Sequence, residues 1–338
     1  MRRVQTVDTD IDGRSVLVAS EAVKDAGEDS HTAATDRHGG LLCVADGCGG
    51  SGARRYAKLD GRSEAYIASR LATECAGLWV SGMDGQGLPA NAAEAALAAA
   101  ALKGCIQRRI GTFHAEYRND IAQRIVMRGL QHTLPTTLCA ALIDARTTQA
   151  LSCVFFWAGD SRGYVLTANG LRQCTADHVA GHTNAMENLY REARLNNLIC
   201  ADADFAIETY GLTVPKPCVV ITATDGAFGY LPTPMEFELL LLNTLQAATT
   251  LDGWQRRLSG ALTRLASDDC TLVMAPFGFA DFAAMRALYQ PRRAELQARF
   301  VTPVRRRRQS VDFARGLWEE YRKGYELSEE VRHADWRL

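Results

Sequence analysis

Three apolar runs of the chain each end at an aspartate. They are LLCVAD ending at Asp46, CVFFWAGD ending at Asp160, and CVVITATD ending at Asp225. A fourth apolar run, CTLVMAPF, begins directly after Asp268 and Asp269. An ionised carboxylate beside buried apolar surface is costly unless it is solvated, paired or bound to a cation. The pattern therefore predicts a fold that gathers strand ends around a site for more than one hard metal ion.

The order of the apolar runs predicts an α+β fold built on antiparallel sheets. Strand-like runs follow one another closely between residues 136 and 173, whereas helical patterns are grouped elsewhere. The segments predicted as helices are 52–80, 91–110, 115–131, 234–245 and 251–265. The segment 24–40 reads as a polar loop, and 177–217 as irregular structure. Strands in runs and helices in runs favour a layered α+β domain over alternating βαβ units.

Composition narrows the classes of function. Lys and Arg number 38 against 39 Asp and Glu, a net charge of −1, so we expect no nucleic-acid partner and no membrane binding. The first residues, MRRVQTVDTD, lack the apolar stretch of a secretion signal, and no apolar run reaches the roughly 18 residues of a membrane span. The ten cysteines are scattered without a zinc-type Cys/His cluster, as in a reduced, cytoplasmic protein.

The residues around Asp46 suggest how a metal would be held. Gly47, Gly49 and Gly50 allow a sharp turn that exposes a backbone carbonyl beside the Asp46 carboxylate. Mg²⁺ and Mn²⁺ prefer oxygen ligands, so several aspartates and one carbonyl suit two such ions. Two metals sharing an activated water could hydrolyse a phosphate ester by in-line attack. Cys48 is a poor nucleophile candidate because no basic side chain stands near it in the sequence.

Seven segments resemble, in order, motifs of the metal-dependent protein serine/threonine phosphatases of type 2C, the PPM family, in its bacterial form. These segments are KDAGEDSHTA, VADGCGG, LPTTLCAAL, WAGDSRGYVL, TADH, TATDGAFG and SDDCTLV, spanning residues 24–273. The resemblance implies a four-layer α-β-β-α sandwich with two central antiparallel sheets. It also implies two Mn²⁺ or Mg²⁺ ions, with a third of weaker affinity, and phosphoserine or phosphothreonine in proteins as substrate.

The resemblance also assigns roles to single residues. The implied metal ligands are Asp46 as the bridging carboxylate, Gly47 through its carbonyl, Asp225, Asp268 and, for the third ion, Asp160. Glu28 and Asp29 would hold metal-bound waters, and Lys24 would contact the substrate phosphate. With Lys24, the residues Asp46, Asp225 and Asp268 form the expected catalytic set.

Several positions depart from the family pattern. Lys24 stands where many relatives place an arginine, Gly27 where an asparagine is frequent, and Cys48 where some carry a histidine. A lysine offers phosphate only a point charge, and no side-chain general acid is evident. Gly229 replaces an acid that helps to hold the third ion in some relatives, and 177–217 corresponds to their mobile flap. Within that flap, His178, His182, Arg191 and Arg194 are candidate substrate contacts, although surface roles are the simpler interpretation.

We therefore predict a catalytic domain over 1–278 and a helical C-terminal extension over 279–338. The predicted activity is metal-dependent hydrolysis of phosphoserine and phosphothreonine by a hydroxide bridging two metal ions. A catalytically silent module that binds a phosphorylated kinase or signalling partner is the alternative, and a small phosphorylated molecule is a second possible substrate. A phosphorylated protein, with a cognate Ser/Thr kinase as one candidate, is the expected partner of a monomeric chain. The extension carries an aromatic face (Trp318, Tyr321, Tyr325 and Trp336) that either packs on the domain or recruits a partner.

Overall fold

The computed structural model describes residues 10–83, 87–123, 132–181, 184–190, 194–307 and 311–326. The strands are β1 (Val16–Ser20), β2 (Ser30–Asp36), β3 (Gly39–Ala45), β4 (Arg55–Tyr56), β5 (Arg62–Ser63), β6 (Ile121–Gln123), β7 (Leu138–Asp144), β8 (Ala150–Ala158), β9 (Arg162–Thr167), β10 (Gly170–Gln173), β11 (Glu208–Pro215), β12 (Cys218–Ala223) and β13 (Cys270–Phe277). The helices are α1 (Glu64–Ser81), α2 (Ala92–Tyr117), α3 (Ala185–Asn188), α4 (Pro234–Ala247), α5 (Leu251–Leu265), α6 (Phe282–Glu295), α7 (Thr302–Arg306) and α8 (Val311–Tyr325). Within these ranges, no helix has the length and apolar character needed to cross a lipid bilayer.

Ten strands form two five-stranded sheets. The first sheet has the order β1-β13-β12-β9-β10 and the second the order β11-β8-β7-β3-β2. Every neighbouring pair in both sheets is antiparallel. The short strands β4, β5 and β6 make a separate small sheet beside them. This arrangement confirms the predicted antiparallel α+β architecture.

Three apolar clusters separate the layers. The middle cluster lies between the two sheets and includes Phe155, Trp157 and Phe277, all buried. A second cluster packs α1 and α2 on the outer face of the second sheet, and a third packs α4, α5 and the C-terminal helices on the first sheet. Helices on both outer faces of two stacked sheets give four layers. The predicted α-β-β-α sandwich is confirmed.

The sequence analysis missed the strands at the borders of the sheets. Strand β2 lies within the predicted loop 24–40, and β11 within the irregular segment 177–217. Both are edge strands, and most of β2 is exposed or half-buried, so the apolar alternation that reveals a strand is absent. The predicted helix 52–80 starts only at Glu64, because a β-hairpin formed by β4 and β5 precedes it. The predicted helix 115–131 is wrong up to residue 123, since α2 ends at Tyr117 and β6 follows; residues 124–131 lie outside the described residues.

The C-terminal helices pack against the first sheet. Trp318, Tyr321 and Tyr325 are each at most 5% exposed and belong to the same apolar cluster as α4 and α5. Their aromatic face is therefore buried, and Trp336 lies outside the described residues. Helix α6 continues through Pro291 without a break. The division at residue 278 stays a prediction.

Candidate active site

Strand register places the acidic residues at one end of both sheets. In the first sheet, the end of β12 pairs with the beginnings of β9 and β13, which brings Asp225, Asp160 and Asp268 to one edge. In the second sheet, the end of β3 pairs with the beginning of β2, which sets Asp46 beside Asp29. The charges of Asp29, Asp225 and Asp160 all act on Asp46, so the two edges meet. Asp268 lies exposed at the rim, and its charge acts on Asp225.

The acidic cluster is crowded enough to change its own protonation. The carboxyl groups of Asp46 and Asp225 lie close enough for each to act on the pKa of the other. Burial first, and then the neighbouring carboxylates, raise the pKa of Asp46 well above its usual value and also raise the pKa of Asp225. Burial raises the pKa of Asp160 to about 8 and that of Asp29 to about 7. Carboxylates this close cannot all ionise without positive charge among them.

The backbone of Asp46 is fixed by the start of β7. Its amide donates to Thr137 Oγ1 (3.0 Å), and its carbonyl accepts from Thr137 N (2.8 Å) and from Thr136 Oγ1 (2.8 Å). Thr137 Oγ1 in turn contacts Ser161 Oγ at 2.7 Å, in the turn that carries Asp160. One threonine hydroxyl thus ties together the loops that present Asp46 and Asp160. The segment LPTTLCAAL pointed to this region, but its threonines were not predicted to support the site.

The loop before β2 holds Glu28 and Asp29 against the first sheet. Asp269 Oδ2 accepts from Glu28 N (2.5 Å), and Ser63 Oγ donates to Glu28 Oε1. Thr224 Oγ1 donates to Asp29 Oδ2 (2.7 Å). Asp29 Oδ1 is shut off from solvent and has no hydrogen-bond partner. A buried, unpartnered carboxylate oxygen is costly, and a cation or a cation-bound water would satisfy it.

Two glycines at the site cannot be replaced without displacing their neighbours. A Cβ at Gly47 would lie 2.3 Å from the carbonyl oxygen of Ala65, and one at Gly49 would lie 1.9 Å from Glu28 Oε2. Gly47 forms a β-bridge with Thr136 whose hydrogen bonds use the backbone of the flanking residues. The bridge therefore leaves the Gly47 carbonyl free of ladder bonds, as a metal ligand requires.

The donor set fits hard divalent cations. Asp46, Asp225, Asp268 and the Gly47 carbonyl supply only oxygen atoms, which Mg²⁺ and Mn²⁺ prefer over nitrogen or sulfur. Across the described ranges, one group of three His, Cys, Asp or Glu side chains has its ligand atoms all within 4.8 Å of one another, and it lies elsewhere. The acidic cluster is thus more open than a single compact ligand shell. Such spacing is compatible with a site shared between two ions.

The basic side chains near the acidic cluster include two arginines in addition to the lysine predicted from the sequence. Lys24 lies exposed in the turn before Glu28. Arg55, on the hairpin strand β4, lowers the pKa of Glu28 through its charge, although burial raises that pKa overall. Arg162, on β9, acts in the same direction on Asp160 and Asp225. Sequence reasoning missed both arginines, although Arg162 lies within the GDSR motif.

The remaining predicted residues have different surroundings. Burial and the charge of Asp46 raise the pKa of Cys48 well above its usual value, so the thiol stays protonated. His178 stacks on Trp157 and its Nδ1 accepts from Gly159 N (3.0 Å), which makes it a structural residue of the turn before Asp160. The side chain of Arg194 is exposed, and His182 and Arg191 lie outside the described residues.

Comparison with known proteins identifies the fold. No protein-family model matches the chain, and no curated protein matches its sequence. Among solved structures, the serine/threonine phosphatase Stp1 from Staphylococcus aureus superposes with a TM-score of 0.56 at 18% identity, over 80% of this chain and 97% of that one. The PPM Ser-Thr phosphatase MsPP from Mycobacterium smegmatis, in complex with cacodylate, gives 0.53 at 16% identity, over 79% and 100%.

A third similar structure contains metal ions. The catalytic domain of the serine/threonine phosphatase PstP, in complex with two manganese ions, gives a TM-score of 0.50 at 19% identity, over 78% of this chain and 98% of that one. At identities this low, the likeness is one of fold. The chain has the fold of the bacterial PPM-type serine/threonine phosphatases, and the resemblance read from its motifs is confirmed at that level.

Proposed function

We propose that this chain is a metal-dependent phosphatase that hydrolyses phosphoserine and phosphothreonine in proteins. The observation that carries the proposal is the convergence of Asp46, Asp225, Asp160 and Asp29 at one end of two sheets, in a fold shared with bacterial serine/threonine phosphatases. A cluster of carboxylates with raised pKa values is a poor arrangement for stability alone. It is a suitable one for gathering divalent cations.

Asp46, the Gly47 carbonyl, Asp225 and Asp268 would hold two Mn²⁺ or Mg²⁺ ions, with Asp160 placed for a third. When bound, the ions would supply an activated water and offset negative charge on the phosphoryl oxygens. Asp46 is the central residue, since its carboxyl contacts that of Asp225 and its backbone is fixed by Thr137.

The protein's own groups determine how water and substrate are placed. Asp29, fixed through Oδ2 by Thr224, presents its unpartnered Oδ1 as an acceptor for a water molecule. Glu28 is positioned by Ser63 and Asp269 for the same task. The Cys48 thiol is protonated and cannot attack phosphorus, so direct transfer to water is favoured over a covalent phosphoenzyme.

Substrate phosphate would be attracted by the exposed cations beside the cluster. Lys24 and Arg55 border the loop that carries Glu28. An arginine can grip a phosphate with two parallel hydrogen bonds, whereas a lysine acts as a point charge. We assign the stronger phosphate contact to Arg55, with Lys24 as a second charge. Tyr230 lies at the same rim, where burial and the charge of Asp268 raise its pKa.

The complete acidic cluster supports hydrolysis over the silent binding module. We further propose that the substrate is a phosphorylated protein in a reducing cytoplasm, with a Ser/Thr kinase as one candidate, and that the chain acts as a monomer. All ten cysteines are free thiols, in keeping with a reducing compartment.

The test is Mn²⁺-dependent phosphate release from a phosphothreonine peptide. Asp46→Asn and Asp225→Asn should each lower turnover on the order of 100-fold or more, because each removes a charge from the centre of the site. Asp312→Asn, at the exposed start of α8, is the matched control and should turn over normally. Release from a small aryl phosphate alone would favour a small-molecule substrate. A folded, metal-binding protein with no turnover on either substrate would overturn the proposal.

A further inference from the structure

A second group of metal-ligating side chains lies apart from the acidic cluster. A ring nitrogen of His132, Cys200 Sγ and a carboxylate oxygen of Asp202 all lie within 4.8 Å of one another. His132 and Cys200 come from distant parts of the sequence, which is why no Cys/His spacing revealed the group. A nitrogen, a sulfur and an oxygen ligand together do not suit Mg²⁺ or Mn²⁺, but they match the ligands of zinc in proteins.

The distance between the histidine and the aspartate fits a shared ion. His132 Nδ1 lies 3.4 Å from Asp202 Oδ1, yet it is shut off from solvent and makes no hydrogen bond. Two ligands held at about 2.0–2.2 Å from a tetrahedral zinc ion stand about 3.4 Å apart. The pair is therefore spaced as two corners of a zinc tetrahedron, and a buried ring nitrogen lacks the partner that an ion would supply.

The ligands lie on paired backbone segments. Thr136 and Ile199 exchange backbone hydrogen bonds of 2.9 and 3.0 Å, and Ala201 N donates to Thr133 O at 2.8 Å. Thr133 N also donates to Asp202 Oδ1 at 3.1 Å, which fixes the direction of that carboxylate. Ligands on rigid, hydrogen-bonded backbone keep their spacing whether or not an ion is bound.

Access and charge allow an ion to enter. The Asp202 side chain is 41% exposed and that of His132 is 18% exposed, whereas Cys200 is buried. Arg54, which donates to Thr133 Oγ1 beside the group, forms a 2.7 Å ion pair with Glu64.

We propose that His132, Cys200 and Asp202 form a zinc site with three protein ligands and an open fourth position for water. On binding, the Cys200 thiol transfers its proton to solvent and its sulfur bonds to the ion. The site shares a segment with the acidic cluster, because Thr136 and Thr137, which fix Asp46, lie three and four residues after Thr133. Zinc would thus clamp the segment 133–137 to 199–202 and stiffen the support of Asp46.

The experiment uses the full chain, stripped of metal and then titrated with Co²⁺ in excess Mg²⁺, which occupies the oxygen ligands of the acidic cluster. We expect a thiolate-to-cobalt absorption band and the intense visible bands of a tetrahedral ion. Both should vanish in Cys200→Ser and His132→Gln and remain in Cys48→Ser, the matched control whose thiol borders the acidic cluster. Bound zinc should fall from about one per chain to near zero in the same two variants.

A second measurement does not depend on how well the variants fold. In the unmodified chain, zinc should slow alkylation of Cys200, read by peptide mass spectrometry, and leave that of Cys105 unchanged. Absence of the thiolate band in the unmodified chain would overturn the proposal. So would a band lost in Cys48→Ser but kept in Cys200→Ser, because the sulfur ligand would then belong to the acidic cluster.

Discussion

Arg162 and Asp177 form a buried, two-pronged ion pair just beyond the acidic cluster. Arg162 Nε lies 2.9 Å from Asp177 Oδ1 and Nη2 lies 2.6 Å from Oδ2, with at most 3% of either side chain exposed. Asn188 on α3 also donates to Asp177 at 2.8 Å. Two residues before Arg162 stands Asp160. The pair therefore joins the candidate active site to the segment 177–217, which the motif resemblance predicts to be a flap.

Breaking this pair should be strongly destabilising. Arg162→Met removes the guanidinium that donates two hydrogen bonds to the buried Asp177 carboxylate, which we expect to cost about 3–5 kcal/mol of unfolding free energy, measured by denaturant titration. The double variant Arg162→Met/Asp177→Leu should recover part of this loss, since no charge is then left unpaired. Arg146→Met, which breaks an exposed pair with Asp144, is the control and should unfold almost normally. Equal stability of Arg162→Met and Arg146→Met would contradict the prediction.

The acidic cluster should make the chelated protein less stable as pH rises. The pKa values of Asp29 and Asp160 are raised from 3.8 to about 7 and about 8. Between those limits the folded chain holds protons that the unfolded chain has released, so stability falls with increasing pH. Each group contributes up to about 1.4 kcal/mol per pH unit within its window. Added Mn²⁺ or Mg²⁺ should reverse the trend, because the ions bind the ionised cluster in the folded state alone.

The measurement is the melting temperature between about pH 4 and about pH 8, with chelator and with Mg²⁺. Asp160→Asn is expected to flatten the slope seen in chelator, because its amide does not titrate. The prediction would be contradicted if the melting temperature in chelator rose with pH and Asp160→Asn had no effect. Ionisation of the cluster would then not lower the stability of the folded chain.

The role of Glu28 can be tested through two neighbouring glycines. A Cβ at position 49 would lie 1.9 Å from Glu28 Oε2, whereas one at Gly50 would meet nothing within 4 Å. Gly49→Ala should push the Glu28 carboxylate aside and lower turnover on the order of 10- to 100-fold, since small misplacements at a reacting centre are costly. Gly50→Ala should retain turnover, and both variants should keep their melting temperature. Normal turnover of Gly49→Ala would remove Glu28 from the site.

The sequence predicted the residues of the acidic cluster better than the residues that hold them in place. The runs ending at Asp46, Asp160 and Asp225 are buried strands, and their patterns are strong because both faces of each strand meet apolar layers. Arg162 and Asp177 were within quoted motifs, but only three-dimensional contact shows that they pair. Thr224, the partner of Asp29, directly follows β12, and Ser63, the partner of Glu28, lies in β5, so neither contact leaves a local signal in the sequence.

The hairpin of β4 and β5, which carries Arg55, could not be predicted from the pattern of apolar residues. Strands β4 and β5 have two residues each, too few to show an alternation, so a helical interpretation covered them. Edge strand β2 was missed for a related reason, because its residues are exposed or half-buried and show no apolar alternation. The local sequence pattern thus predicted the buried central strands of the fold. It did not predict the edge strands and the small hairpin, whose formation depends on contacts between residues distant in sequence.

The position of Arg55 on the hairpin of β4 and β5 leads to a prediction about phosphate binding. Arg55→Gln should raise KM for a phosphothreonine peptide several-fold more than Lys24→Gln, because an arginine can bind phosphate through two hydrogen bonds. Both should leave kcat nearly unchanged if the cations bind ground state and transition state alike. Arg37→Gln, on the exposed turn after β2, is the control and should not alter KM. A larger effect of Lys24→Gln would return the main phosphate contact to the residue suggested by the motif.

The C-terminal helices should prove inseparable from the catalytic layers. Tyr325 lies 6.3 Å from Tyr164 between ring centroids, and the backbone amide of Ala185 on α3 donates to the Glu326 carboxylate. Trp318 is 1% exposed, so Trp318→Ala should cost about 3–5 kcal/mol of unfolding free energy. Leu97→Ala, at a residue 72% exposed on α2, is the control and should change stability by less than about 0.5 kcal/mol.

Truncation after Gly278 extends the same argument to the domain boundary. Removal of residues 279–338 would uncover the apolar side of α4 and the Glu238 carboxylate, which is paired with Arg292 at 2.7 Å and with Tyr321 at 2.6 Å. An unpaired buried carboxylate beside newly exposed apolar surface predicts insoluble protein. Soluble 1–278 with normal Mn²⁺-dependent hydrolysis of an aryl phosphate would instead show that the catalytic domain ends there and that the extension serves another purpose.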